Sequence, residues 1–449
     1  MSRGGTGLPL LLGLDLGTSR MKAVLVDRHG VEHASAAVPT PFRSQATGTE
    51  MTVGACLAAV VDLLGRLGPA VVDVASVGVG GLAESGAPLD RHGDPLAPII
   101  AWHDPRGEAS VAELERRFGA GLPLLIGQRP RTVSSVAKLG WLVGEGLSGV
   151  HRWLGVPELC VSALTGASAT DFSLAARTGC YDIAGRRWLG EVAVSLGIPP
   201  DVFPDVVAAG SVLGRVSLPG ATWSGLSAGI PVTLAGHDHL AAMAGCGAAP
   251  DDFGNSVGTA ETVVGRSAQL PDVDLALARR VAVTLVPEGT MWAVLSGAAR
   301  AGRVLGVAAS ALGRSLEQLD ALAAHADPME VDHLVAELQA GDSSGLGPAE
   351  PGAVWAGLLR ALSVRTADAV TRASQLMGPP RRLVVFGGGG TSRPWLEAKA
   401  RASPTPVWRS TAREAAARGA TAYAGVAAGW WQDCSGAPQP ALEEVGSTA

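Results

Sequence analysis

The sequence is short of cysteine, of net positive charge and of long apolar runs, and each shortage argues against a class of protein. Its five cysteines form no Cys-x-x-Cys pair, which favours reduced thiols over disulfides or a zinc site. A net charge of −6 and a pI near 5.9 argue against non-specific nucleic-acid binding. No run is apolar enough for a membrane span, and residues 1–6 do not resemble a signal peptide. We therefore expect a cytoplasmic protein with neither a nucleic-acid nor a membrane partner.

What the sequence has in quantity is apolar residues and glycine. Hydrophobic residues make up 47% of the 449 residues and charged residues 17%, which is typical of globular proteins, and the length favours at least two domains. The 60 glycines fit an α/β enzyme with tight turns and close backbone approaches to a ligand, although a Gly-rich genome would give the same count.

The spacing of apolar residues predicts a related order of elements in both halves. In the first half it predicts strands at 10–13, 21–27 and 31–39, a helix at 51–67 and a strand at 74–79. In the second half it predicts strands at 255–265, 280–287, 290–296, 382–386 and 406–409, and helices at 355–377, 395–402 and 414–429. Residues 15–19 also resemble 256–260, which suggests duplicated domains facing one cleft. The domain junction is expected between Pro231 and Pro250, and 341–352 is expected to be a surface loop.

One segment near the start has residues that phosphoryl transfer needs, namely backbone that can approach phosphate and a metal ligand. Asp15 ends a buried strand and can hold Mg²⁺, while the turn of Gly17, Thr18 and Ser19 can bind phosphate oxygens. An ordinary hairpin with an Asx turn is the alternative.

A second segment, Gly236-His237-Asp238-His239, follows the apolar strand at 232–235. An Asp at the carboxyl end of a strand can act as a general base toward a substrate hydroxyl. An Asp that only caps the next helix is the alternative. The His-x-His spacing also suggests a metal site, but no Cys or His cluster elsewhere in the sequence completes one.

Two further segments can bind a nucleoside and a sugar. Four consecutive glycines after 383–386 make a flat surface for a base or ribose, without the sequence of a Walker A loop or a Rossmann fingerprint. Trp102 offers an apolar face to a sugar, and Asp104 and Arg106 can hydrogen-bond hydroxyls. The alternatives are a flexible linker for the glycines and a surface loop with an ion pair for the Trp102 segment.

Together these segments resemble the FGGY family of carbohydrate kinases, which includes xylulose, ribulose, gluconate and glycerol kinases. The resemblance runs from about residue 10 to residue 429. The segments that carry it are 12–19, 77–80 with Glu84, 90–106, 164–173, 182–188, 236–238, 258–259, 386–392 and 414–420.

The resemblance implies an α/β fold of two ribonuclease-H-like, actin-like ATPase domains around a central cleft. It implies a sugar-binding domain at 8–240 and a nucleotide-binding domain at 241–432, and we expect 433–449 to be a disordered tail. The implied function is ATP-dependent phosphorylation of a hydroxyl of a small sugar or polyol, with a pentulose or hexulose as the most expected acceptor. ATP and Mg²⁺ are the implied cofactors, and a homodimer stays open.

The resemblance also implies a role for individual residues. Asp238 is the expected general base and Asp15 the expected metal ligand. The expected ATP and phosphate contacts are Gly17, Thr18, Ser19, Gly258, Thr259, Gly387, Gly388, Gly389 and Gly390. The expected substrate contacts are Glu84, Trp102, Asp104, Asp238 and His239.

The sequence departs from the family pattern in four places, one of them at 361–363, where a Glu-Gly pair is frequent in the family. Ala260 stands where Ser is common, the stretch 327–353 is short, and Ala83 argues against a strict glycerol kinase. A catalytically inactive, actin-like nucleotide-binding regulator is therefore an alternative, as is an actin-fold hydrolase or phosphatase.

Overall fold

The computed structural model describes residues 7–46, 48–347 and 349–446. In chain order its strands are β1 Leu10–Leu16, β2 Arg20–Val26, β3 Glu32–Pro39, β4 Arg43–Gln45, β5 Gly48–Met51, β6 Val74–Gly81, β7 Gly86–Leu89, β8 Ile99–Ile100, β9 Arg152–Gly155, β10 Ala169–Asp171, β11 Tyr181–Asp182, β12 Arg187–Trp188, β13 Asp205–Val207, β14 Gly214–Arg215, β15 Pro231–His237, β16 Phe253–Val257, β17 Glu261–Ser267, β18 Ala282–Leu285, β19 Trp292–Ala299, β20 Leu383–Phe386, β21 Val407–Ser410 and β22 Leu442–Glu444.

The α-helices alternate with these strands. They are α1 Val53–Arg66, α2 Glu108–Phe118, α3 Gly121–Ile126, α4 Ser135–Gly144, α5 Val156–Thr165, α6 Phe172–Ala175, α7 Gly190–Ser195, α8 Leu218–Ser224, α9 Asp238–Gly245, α10 Val273–Ala278, α11 Ala301–Leu312, α12 Leu316–Ala323, α13 Leu334–Ala340, α14 Pro351–Met377, α15 Arg393–Ala402 and α16 Ala415–Ala427. Within the described ranges, none of the helices combines the length and the apolar sequence needed to cross a bilayer.

Two large sheets repeat one strand order. The first sheet has the order β14-β15-β6-β1-β2-β3 and the second has the order β18-β19-β17-β16-β20-β21-β22. In each, one strand pairs antiparallel with the next strand of a meander and parallel with a later strand, β1 with β2 and β6, and β16 with β17 and β20. This shared order confirms the predicted duplication of an α/β unit.

Strand β1 lies inside the first sheet because nearly all of its side chains are apolar and helices cover both faces. Helix α1 packs on the side of β2 and β3, and its inward residues follow the helical period. The Thr52 side chain caps this helix by accepting a hydrogen bond from the Ala55 backbone N–H. The helix therefore starts at Val53, two residues inside the predicted span.

The last helix, α16, returns to the opposite face of the first sheet, although it follows the second sheet in the chain. Glycines let it approach the strands at backbone distance. A methyl group on Gly13 would lie 2.0 Å from the carbonyl oxygen of Ala417, and one on Gly78 would lie 2.0 Å from that of Ala420. The same helix contacts α9 through Gly419, where a methyl group would lie 1.8 Å from the Ala241 carbonyl oxygen.

Two expected irregular segments contain regular structure. In 433–449, expected to be a disordered tail, β22 pairs antiparallel with β21, and Arg409 forms an ion pair with Glu443 at 2.6 Å. The edge of β21 offers unpaired backbone groups, which this strand satisfies; residues 447–449 lie outside the described part. The expected loop at 341–352 ends early because the Glu350 side chain caps α14.

Replacing Gly78 with Ala should destabilise the protein by about 1–3 kcal/mol, because the added methyl group would overlap the backbone of α16. Gly306→Ala is the matched control, since a methyl group there would meet no atom within 4 Å and α11 should gain about 0.5–1 kcal/mol. Urea unfolding followed by circular dichroism measures both changes. Equal stability of Gly78→Ala and the unmodified protein would contradict the backbone contact.

Candidate active site

A cavity of about 820 Å³ lies between the two sheets, at the carboxyl ends of strands from both. This is where α/β proteins commonly bind ligands. The predicted site residues that line it are Asp15, Gly17, Thr18, Ser19, Glu84, Trp102, Asp238, His239, Gly258, Thr259, Gly387 and Gly388. Residues from both halves of the chain therefore meet in one space.

Asp15, the penultimate residue of β1, is only 8% exposed. Burial and the negative charge of Asp238 raise its pKa to about 7, against the opposing charge of Lys22. Its Oδ1 atom is buried and has no hydrogen-bond partner among the residues that the structure describes. A buried carboxylate oxygen without a partner is a position that a cation or water can fill.

Asp238 begins α9 and lies between two histidines. Its Oδ1 atom accepts a hydrogen bond from the His239 backbone N–H at 2.7 Å and is 3.3 Å from His237 Nε2. Burial, with the charge of Glu84, raises the pKa of Asp238 to about 7. Burial also lowers the pKa of both histidines, that of His239 to about 4, so their rings are neutral at pH 7.

Hydrogen bonds fix the turn that precedes Asp238. Ser173 Oγ donates to Asp171 Oδ1 at 2.6 Å and accepts from the His237 backbone N–H at 2.9 Å. Gly236 has a φ of 82°, and a methyl group there would lie 2.4 Å from Ser173 Oγ. Only glycine fits this turn without strain, so Gly236 and Ser173 together set the direction in which the chain leaves β15.

A third carboxylate, Glu414, lies directly before α16 and faces the same cavity. Its Oε2 atom is 2.5 Å from Lys22 Nζ, and its charge contributes to the raised pKa of Asp15. Three carboxylates and one paired lysine therefore share this part of the cavity. Such a group favours a bound cation, because a cation would offset the repulsion between the carboxylates.

The two predicted phosphate turns meet across the cavity. Ser19 Oγ and Thr259 Oγ1 are 2.8 Å apart, although 240 residues separate them in the chain. The space above Gly258 is open, since a methyl group there would have its nearest neighbour at 3.9 Å. On the other side, Trp102 Nε1 donates a hydrogen bond to Thr18 Oγ1 at 2.9 Å. The first turn therefore connects the second turn with the Trp102 segment.

Half of the four-glycine segment faces away from the cavity. After β20 the chain coils into a 3₁₀ turn, Gly388–Thr391, so that Gly387 and Gly388 line the cavity and the next two glycines turn inward. A methyl group on Gly389 would lie 2.3 Å from Val257 Cγ1, and Gly390 is buried. The structure therefore gives these two glycines a packing position where a nucleotide contact was predicted.

Glu84 occupies a strained position beside Arg177. Its φ of 67° is rare for a residue with a side chain. Arg177 Nη2 is 2.5 Å from Glu84 Oε1, and Arg177 Nη1 donates to Gln128 Oε1 at 2.8 Å. Ser135 Oγ donates to the Glu84 carbonyl oxygen at 2.9 Å. These contacts hold the Glu84 carboxylate in the cavity wall.

Asp104, a predicted substrate contact, lies behind the cavity wall. Its side chain is fully buried and accepts hydrogen bonds from the Thr49 backbone N–H at 2.6 Å and from Arg106 Nε at 2.8 Å. Arg106 also pairs with Glu50 at 2.9 Å, and the Lys138 ammonium group donates to the Asp104 carbonyl oxygen. Since these partners occupy the carboxylate, Asp104 supports the segment that carries Trp102 and does not line the cavity.

Comparison with known proteins identifies the family. The sequence matches the profile described as "FGGY family of carbohydrate kinases, N-terminal domain" over residues 10–245, which is more than half of the chain. The chain belongs to the FGGY family of carbohydrate kinases. This confirms the resemblance drawn from the motifs.

Relatives that match part of the chain, and others that match nearly all of it, agree with this family assignment. L-fuculokinase of Escherichia coli (strain K12) is 31% identical over 270 residues, which cover 58% of this FGGY chain and 57% of the fuculokinase. The match therefore spans little more than half the length of that relative. Apulose kinase of Pectobacterium atrosepticum is 28% identical over 470 residues, with 94% and 90% coverage. The crystal structure of a xyloylose kinase from Brucella ovis superposes with a TM-score of 0.81 at 21% identity, covering 97% and 94% of the two chains. The predicted two-domain, actin-like α/β fold is thus confirmed.

The prediction of site residues missed most of the charged side chains in the cavity of this FGGY chain. Those absent from it are Arg20, Lys22, Arg129, Arg131, Arg177, Arg280, Arg413 and Glu414. Glu414 had a signal, since it opens a segment that carries the family resemblance. Arg177 had none, because its partner Glu84 is 93 residues away in the chain.

The residues present fit the cofactors that the family implies. For Mg²⁺, the carboxylates of Asp15, Asp238 and Glu414 supply hard oxygen donors, and the unpartnered Oδ1 atom of Asp15 faces this group. For ATP, the open space above Gly258 and Gly388 lets phosphate or nucleoside approach the backbone.

Replacing Arg177 with Met should lower the free energy of unfolding by about 3 kcal/mol, because the Glu84 carboxylate, whose side chain is 7% exposed, would lose its counter-charge. Adding Glu84→Gln to Arg177→Met should recover part of this loss, since no uncompensated charge remains. Urea unfolding of Arg177→Met, Glu84→Gln and the double variant measures the effect. A double variant that loses the sum of both single effects would show that the two side chains do not interact.

Proposed function

We propose that this chain transfers the γ-phosphoryl group of ATP to a hydroxyl of a small sugar or polyol. The observation that carries the proposal is the cavity in which Asp15 and Asp238, from distant parts of the chain, lie between two phosphate turns. Sugar kinases with full-length or partial similarity support it, among them fuculokinase and apulose kinase. A ketose such as a pentulose or hexulose is the first acceptor class to test.

Asp238 acts as the general base in this proposal. Its pKa of about 7 leaves a large fraction ionised at neutral pH and makes the carboxylate basic enough to take a hydroxyl proton. As Asp238 takes that proton, the acceptor oxygen forms its bond to the γ-phosphorus and the bond to the β-phosphate oxygen breaks, with ADP as the leaving group. The neutral rings of His237 and His239 beside Asp238 can hydrogen-bond acceptor hydroxyls.

Asp15 is the metal ligand in this proposal. When bound with ATP, Mg²⁺ would neutralise the charge of the phosphate oxygens. Asp15 and Glu414 would hold the ion directly or through water, while Lys22 keeps Glu414 oriented by their ion pair. Trp102 and Glu84 in the opposite wall would position the acceptor, and the Ser19–Thr259 contact would close the space against water.

Replacing Asp238 with Asn should lower kcat by about 10²- to 10⁴-fold while ATP binding is retained, because Asn cannot accept the hydroxyl proton. A coupled ADP-release assay with a sugar panel measures turnover, and calorimetry measures ATP binding. Asp205→Asn, on β13 outside the cavity lining, is the control and should keep full activity.

The same assay separates this proposal from its rivals. ADP release that does not depend on any sugar would indicate an ATP hydrolase, and ATP binding without turnover on any acceptor would indicate a nucleotide-binding regulator. Full activity of Asp238→Asn would exclude Asp238 as the base.

The pH dependence of kcat/KM should show an acid limb near pH 7, because Asp238 must be ionised and burial raises its pKa to about 7. Activity should fall about tenfold for each pH unit below that limb. Glu84→Gln should move the limb to lower pH, since the negative charge of Glu84 is one cause of the raised pKa. A limb that stays in place in Glu84→Gln would show that Glu84 does not act on the base.

A further inference from the structure

The cavity has more cationic than anionic side chains. Its cations are Arg20, Lys22, Arg129, Arg131, Arg177, Arg280 and Arg413, and its anions are Asp15, Glu84, Asp238 and Glu414. Lys22 is paired with Glu414 and Arg177 with Glu84, both at 2.5 Å. The phosphates of a nucleotide would balance the cations near the two turns. The part of the cavity near Glu84 and Trp102, the predicted substrate contacts, is the acceptor side, and the cations there need another explanation.

Arg131 stands out at the acceptor side. It lies on the segment after α3 that also carries Gln128, the hydrogen-bond partner of Arg177. Among the residues that the structure describes, the Arg131 side chain has neither an ion-pair nor a hydrogen-bond partner, while the Glu84 carboxylate is already held by Arg177. Burial, followed by the positive charge of Arg177, lowers the pKa of Arg131. The guanidinium group therefore lies where an anion would be stabilised.

A second cation strengthens the positive potential at this wall. The guanidinium group of Arg300 lies 5.9 Å from the centre of the Trp102 ring, the predicted platform for a sugar. The positive charge of Arg300 also contributes to the lowered pKa of Arg131. A ligand of negative charge would offset the repulsion between these two positive charges.

We propose that the acceptor of this chain is a sugar acid, whose carboxylate, remote from the reacting hydroxyl, binds the Arg131 guanidinium. The inference rests on the proposed kinase function and narrows its acceptor class. Arg131 is then a specificity-determining residue, since its side chain lines the same cavity as Asp238 and the Glu84–Arg177 pair.

A carboxylate fits this position better than a phosphate group. The planar fork of one free guanidinium matches the two oxygens of a carboxylate. A phosphate dianion would favour additional free donors beside Arg131, whereas each nitrogen of the neighbouring cation Arg177 already contacts Glu84 or Gln128. A sugar phosphate is therefore the competing outcome for the test.

The test compares acceptors that share a carbon chain and differ in charge. The five-carbon set is D-xylonate, xylitol, D-xylulose and D-xylulose 5-phosphate, and the six-carbon set is D-gluconate, D-glucitol and D-fructose. Binding is measured by calorimetry without nucleotide, and kcat and KM are measured by ADP release. The variants are Arg131→Gln, Arg131→Lys and, as a control on the exposed end of α15, Arg401→Gln.

At least one acid should bind about tenfold or more tightly than its alditol and ketose. Arg131→Gln should raise KM for the acid about 10- to 100-fold with a smaller change in kcat, since the lost contact is a charge-assisted hydrogen bond present before and during transfer. Arg131→Lys should restore part of the affinity, neutral acceptors should change less than threefold, and Arg401→Gln should match the unmodified protein.

Several outcomes would overturn the inference. They are a panel in which no acid exceeds its neutral partner, a preference for the sugar phosphate, and an Arg131→Gln effect of equal size on acids and neutral sugars. Failure of the kinase proposal looks different, because an acid would then bind in an Arg131-dependent manner without any ADP release. Phosphorylation of a neutral ketose with no response to acids would keep the kinase and reject the sugar acid.

Discussion

The close backbone contact of α16 with the first sheet holds the site together. Gly13 and Gly78 carry no side chain, so the carbonyl oxygens of α16 lie where methyl groups would otherwise be. Strand β1 carries Asp15 near its end, β6 pairs with β15, which ends directly before Asp238, and α16 begins directly after Glu414. Any side chain at the contact would move these ends apart, so the meeting of three carboxylates depends on the absence of two methyl groups.

That meeting creates an electrostatic conflict within the folded chain. Burial raises the pKa of Asp15 and of Asp238 to about 7, helped by the charge of Asp238 at Asp15 and by that of Glu84 at Asp238. Ionising these two groups therefore opposes folding as the pH rises above about 4. Lys22 offsets only part of this repulsion. A bound cation would offset more, so the site is built for a ligand that the protein alone does not supply. At the acceptor side, the positive charge of Arg131 would likewise be offset by a ligand that carries a negative charge.

The sequence was enough to predict those strands and helices that are specified by the spacing of apolar residues within a short segment. Apolar spacing predicted the meander of β1 to β3 and the strands and helix around residue 383, and the structure places their ends within a few residues. It also found glycine turns and an Asp at a strand end. It did not foresee that Asp104 and two of the four glycines lie outside the cavity lining, because the direction of a side chain or turn depends on neighbours such as Arg106 and Trp395.

By itself the sequence determined the duplicated strand order, the two glycine turns and the position of Asp238 at a strand end, since periodicity, glycine and strand ends are properties of short segments. Only the tertiary structure decided which charges meet. Glu84 with Arg177, and Lys22 with Glu414, pair across 93 and 392 residues of chain. Coulomb energy depends on distance in space and on burial, and neither can be obtained from spacing along the chain.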